Sequence, residues 1–146
     1  MRIYDLSQPL NQEVSFWPYY PPFEVKYIKR KAEHGVNAQY IQTSNHMGTH
    51  LDAPRHFVTA GRTIDEIPVD WLCGPGAIVD LRDEMGDLGV YTPRMIEKRV
   101  KVKTGDLLFL HTGWHRHAQF GSEPDEERYI HMHPGAHPYM VPWLLK

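Results

Sequence analysis

The chain has 146 residues, of which 41% are hydrophobic and 23% charged, a composition typical of one globular domain. The formal net charge of −2 gives no electrostatic case for binding nucleic acid or an anionic membrane, and no apolar run approaches the roughly 20 residues of a membrane span. The sequence shows no internal repeat and no linker-like run, which predicts one domain over residues 1–146. The single cysteine and the absence of an apolar leader segment predict a cytoplasmic protein without a disulfide framework.

The predicted strands are short and separated by turns, as the 12 prolines indicate. Each predicted strand shows either alternation of apolar and polar residues or a short apolar run bounded by turn residues. These segments are RIYDLS (2–7), FEVKYIKR (23–30), NAQYIQTSN (37–45), GAIVDL (76–81) and DLLFLHTG (106–113).

Three helical segments complete the predicted elements. TPRMIEKRV (92–100) is the clearest, with Thr92 as N-cap and Pro93 in the first turn. TIDEIP (63–68) predicts a single helical turn, and a last helix is expected to begin near Pro142. The strand–helix–strand order over 76–113 predicts a mixed α/β, layered domain.

The segment TSNHMGTHLDAPRHF (43–57) carries the strongest functional signal. Gly48 and Pro54 argue against a helix here. In an extended chain His50 and Asp52 share a face and can reach one metal, whereas His46 would lie too far from them. We therefore expect the chain to bend at Gly48, the residue that tolerates such a bend.

Two imidazoles and one carboxylate make a three-ligand site at His46, His50 and Asp52 with open coordination positions. Such sites are typical of catalytic metals and suit Zn²⁺ or Mn²⁺. A metal lowers the pKa of a bound water, and His56 is a candidate general base or proton shuttle beside it. A lone histidine is more often a packed or surface residue, but the whole pattern favours a metal site.

HMGTHLDAPRHF resembles the signature of the cyclase family of metal-dependent hydrolases, which includes bacterial kynurenine formamidase and isatin hydrolase. The match to H-x-G-T-H-x-D-x-P-x-H is complete. Four further segments follow in the family's order: IYDLSQPL, FWPYYPPFEV, TIDEIPVDWLCGPGAIVDL and KTGDLLFLHTGW. One departure lies at Trp17-Pro18-Tyr19-Tyr20, where members commonly have Trp-Pro-Gly-Asp.

The resemblance implies a swivelling β/β/α fold and a hydrolase of amide-type C–N bonds in aryl formamides or cyclic amides. It also implies a metal at His46, His50 and Asp52, with His56 as the catalytic acid/base and Asp52 bridging to a second ion in two-metal members. The family continues into a further strand and a downstream His and Glu, so we expect a chain truncated at its C-terminus. A metal- or ligand-binding relative without turnover, or an inactive fragment, is the alternative. We expect a homo-oligomer with a small-molecule substrate.

Aromatic and histidine side chains elsewhere are weaker candidates. Phe16 and Trp17 are candidate substrate-binding residues that cap the pocket, although aromatic residues are more often core. Trp114 is a candidate for stacking an aromatic substrate. The neighbouring His115 and His117 are at least as well explained by a strand end and a solvated loop. The H-x-H pair of HMHPGAH (131–137) could bind a metal on one strand face, but the Pro134-Gly135 turn favours a loop. Cys73 is expected to be a small buried hydrophobe.

Overall fold

The protein, described by a computed structural model over residues 2–146, is a mixed α/β structure, as predicted. It divides into two compact units, residues 1–52 (unit 1) and 53–146 (unit 2). The single domain over residues 1–146 stays a prediction. None of the helices in the described residues has the length and apolarity that a membrane crossing requires.

Unit 1 is built on an antiparallel pair of strands. β1 (Glu24–Lys29) pairs with β2 (Ala38–Gln42), and the short helix α1 (Lys31–His34) lies in their connection. Gly35 ends α1 in the left-handed conformation, at φ 72°. Both strands lie within segments predicted from the sequence.

The predicted strand over residues 2–7 is wrong. Within the described residues this segment pairs with no strand, and Ile3 and Leu6 are exposed. The Asp5 carboxylate instead accepts a hydrogen bond from the backbone N–H of Ser7, at 2.9 Å. A short aspartate side chain that bonds its own backbone competes with strand pairing.

The core of unit 1 holds the segment that carries the histidines. Val14, Phe23 and Met47 are buried together, with Phe16 and Val25 packed against them. Met47 directly follows the first histidine of the cluster, so its burial fixes the start of that segment to the core.

Unit 2 contains two parallel strand pairs. β3 (Gly76–Asp80) pairs with β5 (Leu107–His111), and β4 (Val90–Tyr91) pairs with β6 (Gly135–Ala136). Parallel strands need a crossover connection. Helix α2 (Pro93–Glu97) lies between β3 and β5 in the chain, so the predicted strand–helix–strand order is confirmed.

The other elements of unit 2 are short. They are 3₁₀ turns at Pro54–His56, Ile64–Glu66, Val69–Leu72 and Trp114–His117, and helices α3 (Glu126–His131) and α4 (Met140–Leu144). The turn predicted over 63–68 is thus confirmed, and the last helix begins at Met140 rather than at Pro142. Proline fits this shift, because it is tolerated in the first turn of a helix.

Helix α2 begins after an N-cap residue and packs on the core of unit 2 through one buried residue. The Thr92 hydroxyl accepts a hydrogen bond from the backbone N–H of Met95, as the N-cap prediction requires. Ile96 is fully buried. It packs in the core cluster of unit 2, whose other buried members are Val79, Leu81, Met85 and Met140.

Candidate metal centre

Two histidines converge on one carboxylate oxygen in unit 1. Asp52 Oδ1 lies 2.7 Å from His46 Nδ1 and 3.3 Å from His50 Nε2. One ligand atom from each of the three residues lies within 4.8 Å of the others. The structure therefore brings together the three residues that the sequence predicts as metal ligands.

The segment that carries these ligands is a bent loop and not a strand. β2 ends at Gln42, and the backbone bends over residues 45–49. Gly48 has φ 62°, in the left-handed region where glycine carries no steric penalty. No strand forms over residues 50–52, so the strand considered for His50 and Asp52 is wrong, whereas the bend expected at Gly48 is confirmed.

Hydrogen bonds hold this loop in place. The backbone N–H of His46 donates to Ser44 Oγ at 3.1 Å, and that of Gln8 donates to Thr49 Oγ1 at 2.9 Å. His50 Nδ1 lies 3.0 Å from the Gly48 carbonyl oxygen. With its proton on Nδ1, His50 donates to that carbonyl and directs Nε2 towards Asp52, which is how second-shell carbonyls orient metal-binding imidazoles.

The chemistry and spacing of this ligand set fit a divalent cation. Two nitrogens and one oxygen suit Zn²⁺ or Mn²⁺. Zinc bonds of about 2.1 Å place tetrahedral ligand atoms about 3.4 Å apart, close to the 3.3 Å between His50 Nε2 and Asp52 Oδ1. The shorter His46–Asp52 contact is a hydrogen-bond distance, so these two atoms have to separate slightly around an ion. The Asp52 side chain is 45% exposed, which leaves room for a further ligand.

His56, the predicted acid/base, belongs to unit 2. It ends the 3₁₀ turn that starts at Pro54, is exposed, and packs edge-on against the Phe57 ring at 4.2 Å between centroids. Its catalytic role stays a prediction.

The predicted substrate-binding aromatic residues differ in exposure. Phe16 is half-buried against the unit 1 core. Trp17 is exposed, and its ring centroid lies 6.2 Å from that of Tyr19. Trp114 in unit 2 is only 6% exposed, and its indole N–H donates to the Tyr129 carbonyl at 3.1 Å. This burial supports a packing role for Trp114, whereas the position of Trp17 leaves its ring open to solvent.

Three sequence-based expectations in unit 2 are wrong. His117 is buried within a 3₁₀ turn, where its Nδ1 contacts the Glu123 carbonyl, so it is not part of a solvated loop. Cys73 is exposed and not a buried hydrophobe. The segment 131–137 is not simply a loop, because His131 ends α3 and Gly135–Ala136 forms β6.

A second group of polar side chains lies at the carboxyl ends of β3 and β5. His111 Nδ1 is 4.0 Å from Asp80 Oδ1, and the His111 ring stacks on that of His115. Arg82 binds both Asp80 carboxylate oxygens and holds the pKa of Asp80 well below its usual range. Because Arg82 already satisfies this carboxylate, the group is a poor metal site.

Tyr20 is a neighbour of the metal centre that sequence reasoning missed. Its ring stacks on the His46 imidazole, with centroids 5.9 Å apart and planes inclined by 28°. The two residues are 26 positions apart in the sequence, a separation that no helix or strand periodicity relates, so only the tertiary structure reveals the contact.

Gly48 gives a first testable prediction. We expect Gly48→Ala to weaken Zn²⁺ binding about 10-fold, because the turn directs the carbonyl that orients His50. A Cβ at Gly48 would also meet Leu10 Cδ1 at 3.4 Å. Calorimetric titration of the metal-free protein with Zn²⁺ measures the effect.

Gly35→Ala is the matched control for this prediction. Gly35 has a similar φ of 72°, and a Cβ there would meet nothing within 4 Å. Both variants should lose roughly 1–2 kcal/mol of stability from a left-handed alanine, measured by urea unfolding. Equal Zn²⁺ affinity in the two variants would show that the Gly48 turn does not organise the centre.

Comparison with known proteins assigns the chain to a family. The family model described as Putative cyclase matches residues 4–146. Kynurenine formamidase of Bacillus cytotoxicus is 34% identical over 116 residues, which are 79% of this chain and 53% of the relative. Kynurenine formamidase of Bacillus thuringiensis (strain Al Hakam) is 40% identical over 78 residues, 53% of this chain and 37% of the relative. The chain thus spans about half the length, or less, of these curated relatives.

A solved structure shows the same fold. The crystal structure of an isatin hydrolase bound to the product analogue thioisatinate matches 97% of this chain and 62% of that chain, with a TM-score of 0.82 and 20% sequence identity. This likeness confirms the fold class predicted from the sequence.

Proposed function

Because this chain belongs to the cyclase family, we propose that it binds Zn²⁺ or Mn²⁺ at His46, His50 and Asp52 and hydrolyses the amide-type C–N bond of a small aryl formamide or cyclic amide. The observation that carries this proposal is the convergence of both imidazoles on Asp52 Oδ1. The names of its relatives, kynurenine formamidase and isatin hydrolase, support the choice of substrate class.

The proposed residues have separate roles in such a hydrolysis. A divalent ion supplies Lewis acidity and activates water. His46 and His50 provide neutral nitrogen ligands, and Asp52 provides negative charge that offsets the charge of the ion. His56 moves a proton at its ring nitrogen, accepting it from water and delivering it to the departing nitrogen of the substrate.

A metal-binding protein without turnover is the second candidate. The exposure of the ligand set favours it, because catalytic centres usually exclude bulk water around the reacting groups. A cytoplasmic location and a homo-oligomeric state stay predictions under either function.

Metal removal tests the proposal. We expect dialysis against a chelator to abolish hydrolysis of a panel of aryl formamides, cyclic amides and lactones, and added Zn²⁺ or Mn²⁺ to restore it. Elemental analysis of each sample gives the metal content in parallel. Metal binding without hydrolysis of any panel member would support the second candidate. Hydrolysis that survives complete metal removal would refute the metal-dependent mechanism.

A further inference from the structure

The His46 imidazole is held on more than one side. Its Nδ1 contacts Asp52, its face stacks on the Tyr20 ring, and its edge meets the His50 ring at 5.4 Å between centroids. The side chain is only 18% exposed, and it is the least exposed of the three candidate ligands. Tyr20 therefore covers a face of the ring without occupying the nitrogen that faces Asp52.

The backbone holds Tyr20 in this position. Its N–H donates to the Trp17 carbonyl at 2.9 Å, which closes a turn. The segment around this turn is anchored on both sides, by Val14 before it and Phe23 after it, and both residues pack with Met47 in the unit 1 core. Since Met47 follows His46 directly, one core cluster supports both rings of the stacked pair.

A histidine ring needs such support to act as a preorganised ligand. The χ2 torsion of histidine is broad and roughly two-fold, so the backbone alone does not fix the plane of the ring. A ring that must be ordered when the metal binds carries an entropic cost, and prior ordering removes that cost from the binding free energy. The aromatic face also attracts the positive charge that an imidazole gains when it is bound to a cation.

We propose that Tyr20 is a positioning residue of the metal centre, which fixes the plane of the His46 imidazole through its ring and does not need its hydroxyl group. This inference rests on the proposed function.

Substitutions at two neighbouring tyrosines test the proposal. Tyr20→Leu removes the ring, Tyr20→Phe removes only the hydroxyl, and Tyr19→Leu removes a ring that is 85% exposed. Metal-free protein is titrated with Co²⁺, whose visible absorption reports the ligand geometry. We expect Tyr20→Leu to weaken Co²⁺ binding about 3- to 10-fold, as for a lost aromatic contact, and to change the absorption bands. Tyr20→Phe and Tyr19→Leu should match the wild type.

Several outcomes would overturn the proposal. Unchanged Co²⁺ affinity and absorption in Tyr20→Leu would exclude a positioning role, even if the melting temperature of the metal-free protein falls. If Tyr20→Phe lowers the Co²⁺ affinity as much as Tyr20→Leu does, the effect belongs to the hydroxyl group and not to the ring. Tyr20→Gln, which also lacks a ring, provides the same test if the leucine variant does not fold. Failure of the wild type to bind Co²⁺ would contradict the proposed function itself, and this inference with it.

Discussion

Replacing Asp52 with asparagine is expected to weaken Zn²⁺ or Mn²⁺ binding by about 100-fold or more and to abolish metal-dependent hydrolysis. Both histidines of the centre face the same Asp52 oxygen, so this carboxylate contacts each of the other two candidate ligands. Asparagine retains the shape of the side chain and an acceptor oxygen. It removes the negative charge that binds a divalent cation.

Asp70→Asn is the matched control for Asp52→Asn. Asp70 is exposed on a 3₁₀ turn of unit 2 and receives the same change of charge and shape. Calorimetric titration and elemental analysis of both variants separate a local effect from a change in net charge. Since Asp52 is partly exposed, weaker contacts with the two histidines should change the free energy of unfolding by at most about 1 kcal/mol. Wild-type metal affinity in Asp52→Asn would show that the convergence on this oxygen is a hydrogen-bond network and not a metal site.

Features that local chemistry dictates could be predicted from the sequence. The bend at Gly48 follows from the need to bring His46 near Asp52 and from the tolerance of glycine for left-handed backbone. The start of α2 follows from the Thr92 cap, whose hydroxyl accepts the expected hydrogen bond. In both cases the relevant interaction spans a few residues, and the residue type alone narrows the choice.

Features that depend on distant contacts could not be predicted in this way. Residues 2–7 have a strand-like pattern, but pairing needs a partner strand that the pattern does not specify. His117 is buried because Arg116 and Glu123 supply hydrogen-bond partners for its two ring nitrogens, which a polar sequence around it does not reveal. The Tyr20–His46 stack connects two loops whose neighbouring residues pack in the core of unit 1. Composition and periodicity report which residues favour burial, whereas the pairing of particular side chains is decided by tertiary packing.

Replacing His56 with glutamine is expected to lower kcat by about 10²- to 10⁴-fold while metal affinity stays at the wild-type value. Glutamine can still form hydrogen bonds but cannot accept and deliver a proton near neutral pH. His56 is exposed at the end of a short turn, so the substitution removes no buried packing. The loss should therefore appear in kcat and not in KM, the pattern of a group that acts only in the transition state.

His34→Gln controls for the loss of an exposed imidazole elsewhere in the chain. His34 is exposed at the end of α1 and should tolerate the change without loss of hydrolysis or metal binding. Steady-state kinetics on the best substrate of the panel, with metal content measured in the same samples, gives the comparison. Reduced metal content in His56→Gln would make His56 a ligand and not a proton carrier. Unchanged kcat would remove it from the chemistry, and the residues that handle the proton would then have to be sought among the other polar side chains of the protein.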